Sequence, residues 1–137
     1  MRLLLLLIML AITAAGCKGG TVNSFRLEHD ASSLQSLSAD GAAMANSAAK
    51  GDTTDAFVRV HSSELAHAAG KLAKVLRSAH PQPRLRKETT RLIELTEHVG
   101  AILERLEHHP GDKQLARQVR KVCSNAAQRA EMLGASA

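Results

Sequence analysis

Four stretches of this chain place apolar side chains on one side of a helix, and short turn signals separate them. At 100° per residue, Leu34, Leu37, Gly41, Met44, Ala45 and Ala48 share a face within residues 31–50. Phe57, Val60, Leu65, Ala68, Leu72 and Val75 do so within 54–78, Leu85, Leu92, Val99, Leu103 and Leu106 within 85–108, and Leu115, Val119, Val122, Ala126, Ala130 and Leu133 within 113–133. Asp30, Asp52 or Thr53, and Asp112 suit helix starts, whereas Gly51 and Gly134 suit helix ends. Pro81 and Pro83 interrupt the second and third segments, and Pro110-Gly111 the third and fourth. No alternating strand pattern competes. The expected fold is all-α: an antiparallel four-helix bundle over residues 31–137, with a dimer of helical hairpins as its architectural rival.

Composition narrows the classes further. The 137 residues include two aromatics, Phe25 and Phe57, and no Trp or Tyr. This disfavours a β-sandwich, a base-stacking nucleic-acid module and an aromatic-lined ligand pocket. Two cysteines exclude a disulfide scaffold and any four-thiolate metal site.

Ahead of the helical segments lies a leader. Arg2 precedes the unbroken apolar run Leu3 to Leu10, and small residues close the stretch before Cys17. The run holds roughly 14 apolar or small residues, fewer than the ~20 that span a bilayer, so it reads as a signal-peptide core. Ala14-Ala15-Gly16-Cys17 resembles the lipobox of bacterial lipoproteins, with Ala14 where Leu is usual. The resemblance covers residues 1–17 alone. It implies cleavage of residues 1–16, diacylglycerol and further acyl groups such as palmitate on Cys17, and a location on the extracytoplasmic side of the cell envelope. Lys18 stands where an Asp would resemble an inner-membrane retention signal, which favours the outer membrane in a diderm host. Residues 17–30 are expected to tether the lipid to the folded domain.

The candidate chemistry is sparse. His61 falls near the centre of the second stripe, with Glu64 one turn on and Glu88 on the third segment's apolar face. These three could form a buried polar cluster or, in the rival reading, a metal site. Glu64-x-x-His67 is half of a di-iron pattern, without the second copy such a site needs. His108-His109 suits a helix C-terminus. Cys123 is expected to be a buried small hydrophobe. A haem attachment motif, P-loop, dinucleotide fingerprint, nucleophile elbow and zinc-protease motif are all absent. Residues 112–133 carry Lys113, Arg117, Arg120, Lys121 and Arg129 against Asp112 and Glu131, a basic balance suited to acidic envelope polymers or lipid headgroups. The sequence therefore predicts a non-enzymatic, lipid-anchored structural or interaction module. Its expected partners are the membrane and another envelope protein or anionic polymer, not nucleic acid, and it holds no cofactor beyond the acyl groups. The alternative is a metal-binding or metal-sensing lipoprotein using His61, Glu64 and Glu88.

Overall fold

The computed structural model describes residues 20–137, so the leader, the lipobox residues Ala14, Ala15 and Gly16, and Cys17 lie outside the described residues. The described chain is all-helical, with α1 at Ser24–Lys50, α2 at Asp55–Ser78, α3 at Arg86–His108 and α4 at Lys113–Ala135. The only other regular elements among these residues are a 3-10 turn at Pro83–Leu85 and two short strands, β1 (Thr21–Val22) and β2 (His80–Pro81). The strands pair in parallel, with Thr21 opposite His80. None of the described helices is long and apolar enough to cross a membrane.

Local chemistry sets the helix boundaries. Asn23 caps α1 through Arg26 N–H, Thr54 caps α2 through Phe57 N–H, and the Asp112 carboxylate accepts from both Gln114 and Leu115 N–H at 2.9 Å. Gly51 ends α1 in the left-handed conformation, φ 80°, that an L side chain resists. The start of α1 departs from expectation. Asp30 is not a cap: it lies inside the helix, buried, and its carboxylate accepts from Arg26 Nε at 3.3 Å. The helix extends back to Ser24 because Leu27 and Ala31 continue the apolar face of Leu34 into the core, and Asn23 supplies the cap. Gly134 likewise lies inside α4, packed against Ala31 of α1, rather than beyond its end.

The four helices pack as a bundle in two intimate pairs, α1 with α4 and α2 with α3, which meet across a less extensive junction. Their common core is aliphatic: Leu34, Leu65, Leu92, Leu103, Leu106 and Val119 are among the buried side chains. The stripes of α3 and α4 face this core much as expected. That of α2 does not. Its buried residues are Val58, Ser62, Leu65, Ala69, Ala73 and Leu76, whereas Phe57, Val60 and Val75 face solvent. Small side chains win the inward positions because the helices approach closely there; a side chain at Gly100 would place its first carbon 3.4 Å from Ala69 Cβ. The buried threonine hydroxyls bond to carbonyls one turn back, Thr89 Oγ1 donating to Leu85 O at 2.8 Å and Thr96 Oγ1 to Leu92 O at 2.7 Å, whereas Ser62 Oγ donates across to Met44 Sδ of α1 at 3.8 Å and the buried Ser38 Oγ has no partner.

Two glycines behave oppositely in this packing. A first side-chain carbon at Gly41 would stand 3.2 Å from Cys123 Sγ and 3.4 Å from Leu103 Cδ2, whereas one at Gly70 meets nothing within 4 Å. Gly41→Val is therefore expected to destabilise the fold by about 1–3 kcal/mol through overpacking. Gly70→Ala is expected to stabilise it by about 0.5–1 kcal/mol, because alanine restricts the unfolded chain and favours helix. Urea midpoints of the two variants check both signs.

Candidate functional site

The titratable cluster around His61 sits on the junction between the two helix pairs. His61 projects from α2, its Nε2 3.4 Å from Asp40 Oδ2 of α1 and its Nδ1 3.5 Å from Glu64 Oε2. The Phe57 ring, one turn earlier, stacks on the imidazole with centroids 5.3 Å apart and 23° between planes. A neutral imidazole carries one N–H, so only the imidazolium can donate towards both carboxylates. Asp40 was missed at the sequence level because it comes from another helix, and no local spacing links it to His61.

This arrangement corrects the expectation of a buried cluster. The His61 side chain is 26% exposed, and both carboxylates are more exposed still. The rotation of α2 that turns Phe57 outwards carries His61 to the rim with it. Glu88 does not join the group. His61 lies on the far side of the layer formed by Gly41, Leu65 and Leu103, towards the Asp55–Gly111 end, while Glu88 sits in the first turn of α3. At 1.5 Å per residue, the two are more than about 20 Å apart along the bundle. The Glu88 Oε2 atom is buried without a hydrogen-bond partner. Among the described residues no three His, Cys, Asp or Glu side chains converge as a metal-ligand set. His67 is exposed and opens onto a shallow groove between α2 and α3, which the Arg77–Glu97 ion pair crosses.

Cys123 is fully buried in α4, with its sulfur against the Gly41 backbone. Burial pushes its thiol up to about 12 from the ordinary 9.0. It is thus a packed apolar group rather than a nucleophile, and its burial removes the route to a disulfide between chains. His109 ends α3, its backbone N–H donating to Arg105 O and Leu106 O at 3.1 and 3.2 Å. The basic residues Arg117, Arg120 and Lys121 line one exposed side of α4, where Arg120 reaches Asn46 of α1 at 3.4 Å.

A second charged region is invisible to a charge sum over residues 84–108, in which Arg84, Arg86, Lys87, Arg91 and Arg105 balance five glutamates. The fold separates them. Arg84, Arg86, Lys87 and Arg91 gather at the α2–α3 corner, while Glu94, Glu97, Glu104 and Glu107 follow further along the helix. Pairing of β1 with β2 brings Gly20, where the described chain begins, to the same corner. Counting charge between Glu64 and Glu94 would have found it: seven Lys and Arg stand there against Glu88 alone.

Two outcomes follow from these geometries. His61→Ala is expected to lower stability by less than about 1 kcal/mol in denaturant titrations, since exposed ion pairs contribute little. The folded state holds the Cys123 proton to about 12, whereas an unfolded chain releases it near 9.0. Stability intact below pH 9 is therefore lost progressively towards pH 12. Cys123→Ala is expected to flatten that alkaline decline relative to the parent, read as the slope of unfolding free energy against pH.

The chain matches no known protein-family model, no curated protein and no solved structure.

Proposed function

We propose that this protein is a lipid-anchored module of the bacterial cell envelope, facing the extracytoplasmic side, with a structural or interaction role and no enzymatic one. The observation that carries the reading is the leader: a cation, an apolar run too short to span a bilayer, and small residues placed directly before Cys17. In this reading residues 1–16 are removed and Cys17 carries diacylglycerol and a further acyl chain, since a single chain holds a protein only marginally. The tether is shorter than residues 17–30 and ends before Thr21, because β1 pairs at Thr21–Val22 and α1 starts at Ser24. The four helices form an antiparallel bundle, consistent with their short connections and with the pairing of α1 with α4 and α2 with α3.

The interaction role is supported by how the polar chemistry is distributed. Most titratable side chains of the described residues are exposed, with His61, Asp40 and Glu64 on a rim, while Asp30 and Cys123 are buried. The exposed basic side of α4 at Arg117, Arg120 and Lys121 suits an anionic envelope polymer or an acidic face of another envelope protein. In a diderm host, Lys18 after the cysteine favours the outer membrane.

Metabolic labelling with palmitate in a bacterial host tests the anchor. The parent chain is expected to incorporate label and Cys17→Ser to incorporate none; equal labelling of the two would overturn the reading.

A further inference from the structure

The end of the bundle at which the chain enters the fold combines two features that stability does not explain. The first is its charge. Arg84, Arg86, Lys87 and Arg91 are exposed there, and Arg86, Lys87 and Arg91 make no ion pair among the described residues. Arg86 and Lys87 occupy the first turn of α3, where the unpaired backbone N–H groups already concentrate positive charge and acidic side chains are favoured. Glu88 shares that turn and the other acids of α3 lie downstream, so the turn keeps a net positive side-chain charge at the positive end of its dipole. The second feature is Phe25, in the first turn of α1 and 77% exposed. Its neighbour Ser24 accepts a hydrogen bond from Arg84 Nη2 at 2.7 Å, so the first turn of α1 lies at the cationic corner.

Cations around an exposed aromatic match the chemistry of a bilayer interface. Phosphate headgroups take the guanidinium and ammonium groups, and the ring enters the boundary between headgroups and acyl chains. A soluble polyanion would use the cations and leave Phe25 in water. Gly20, where the described chain begins, lies at this same end, its carbonyl accepting from His80 N–H. We propose that this end is a docking surface for anionic phospholipid, in which Arg84, Arg86, Lys87 and Arg91 contact headgroup phosphates and Phe25 enters the interface. The contact goes beyond covalent anchoring at Cys17 and does not depend on it.

The chain from residue 17 onwards carrying Cys17→Ser lacks both the acyl anchor and the apolar leader, so failure here is separate from failure of the lipoprotein reading. Sedimentation compares its binding to phosphatidylcholine vesicles with and without phosphatidylglycerol. Binding is expected to rise with phosphatidylglycerol and to fall with added salt. Arg84→Glu/Arg86→Glu/Lys87→Glu is expected to weaken it by at least about tenfold, each cation near an anionic surface contributing about fivefold. Phe25→Ser, which leaves the charge intact, is expected to weaken it severalfold at high salt. Arg117→Glu/Arg120→Glu/Lys121→Glu on α4 is expected to bind like the parent. Equal binding by the corner variant and the parent, at unchanged helical circular dichroism, would overturn the proposal. So would an equal loss in the α4 variant. Binding to soluble polyglutamate as tight as to vesicles, with no effect of Phe25→Ser, would also overturn it, in favour of an acidic polymer.

Discussion

The absence of a side chain at Gly41 decides how near the helices of this bundle can come. Cys123 of α4, Leu103 of α3 and Leu65 of α2 all approach the bare backbone of α1 there, so a single layer receives a group from every helix. Close approach compensates for a shortage of bulky side chains. Alanines at 31, 45, 48, 69, 116, 126 and 130 are buried, and neither phenylalanine is. A core of this kind gains from the number of short contacts rather than from the area any one residue buries. The same layer explains Cys123: its thiol is small enough to sit against α1, and the burial that packs it also suppresses its ionisation.

Dependence on small residues governs what could be read from the sequence. In α3 and α4 the inward positions include large aliphatics such as Leu92, Val99, Leu103 and Val119, so hydrophobic periodicity points at the core. In α2 the inward positions are filled by Ser62, Ala69 and Ala73, while Phe57, Val60 and Val75 lie outside, and a pattern weighted by hydrophobicity selects the wrong side. The helix assignment survives that error because both faces share one period, but every side-chain direction along α2 rotates with it. The start of α1 was hidden for a different reason. Gly19-Gly20-Thr21-Val22-Asn23-Ser24 is polar and Gly-rich in composition, yet Val22 is fully buried, β1 pairs with β2, and Asn23 begins a helix.

The candidate sites inherit these geometric consequences. His61 was legible as an unusual residue but not as a rim residue, because its environment follows from the rotation of α2 and from Asp40 on α1. Pairing it with Glu88 required both side chains to lie at one level of the bundle. Each faces the neighbouring helices at a different height, and a shared face on a helical wheel carries no information about height. The cationic corner was hidden by averaging. Arginines and glutamates of α3 cancel in a sum over the helix and are separated by its length in space.

Position along the bundle therefore matters more than net charge. The 23 residues of α4 span about 34 Å. Gly20 and the corner at Arg84–Arg91 belong to one end of that length, and the α3–α4 turn with His108, His109 and Gly111 forms the other. If the corner rests on headgroups, the long axis stands away from the bilayer. Arg117, Arg120 and Lys121, in the half of α4 nearer that turn, are then carried beyond the reach of the membrane's surface potential, which decays within about a Debye length of 8–10 Å. Two basic regions that look redundant in a composition table would in that orientation face different anions, one at the lipid and one in the space beyond it. An acyl chain on Cys17 would fix only a point of attachment. A second contact at the corner would fix an orientation, and a helical bundle needs a fixed orientation if one of its sides is to be presented to a partner.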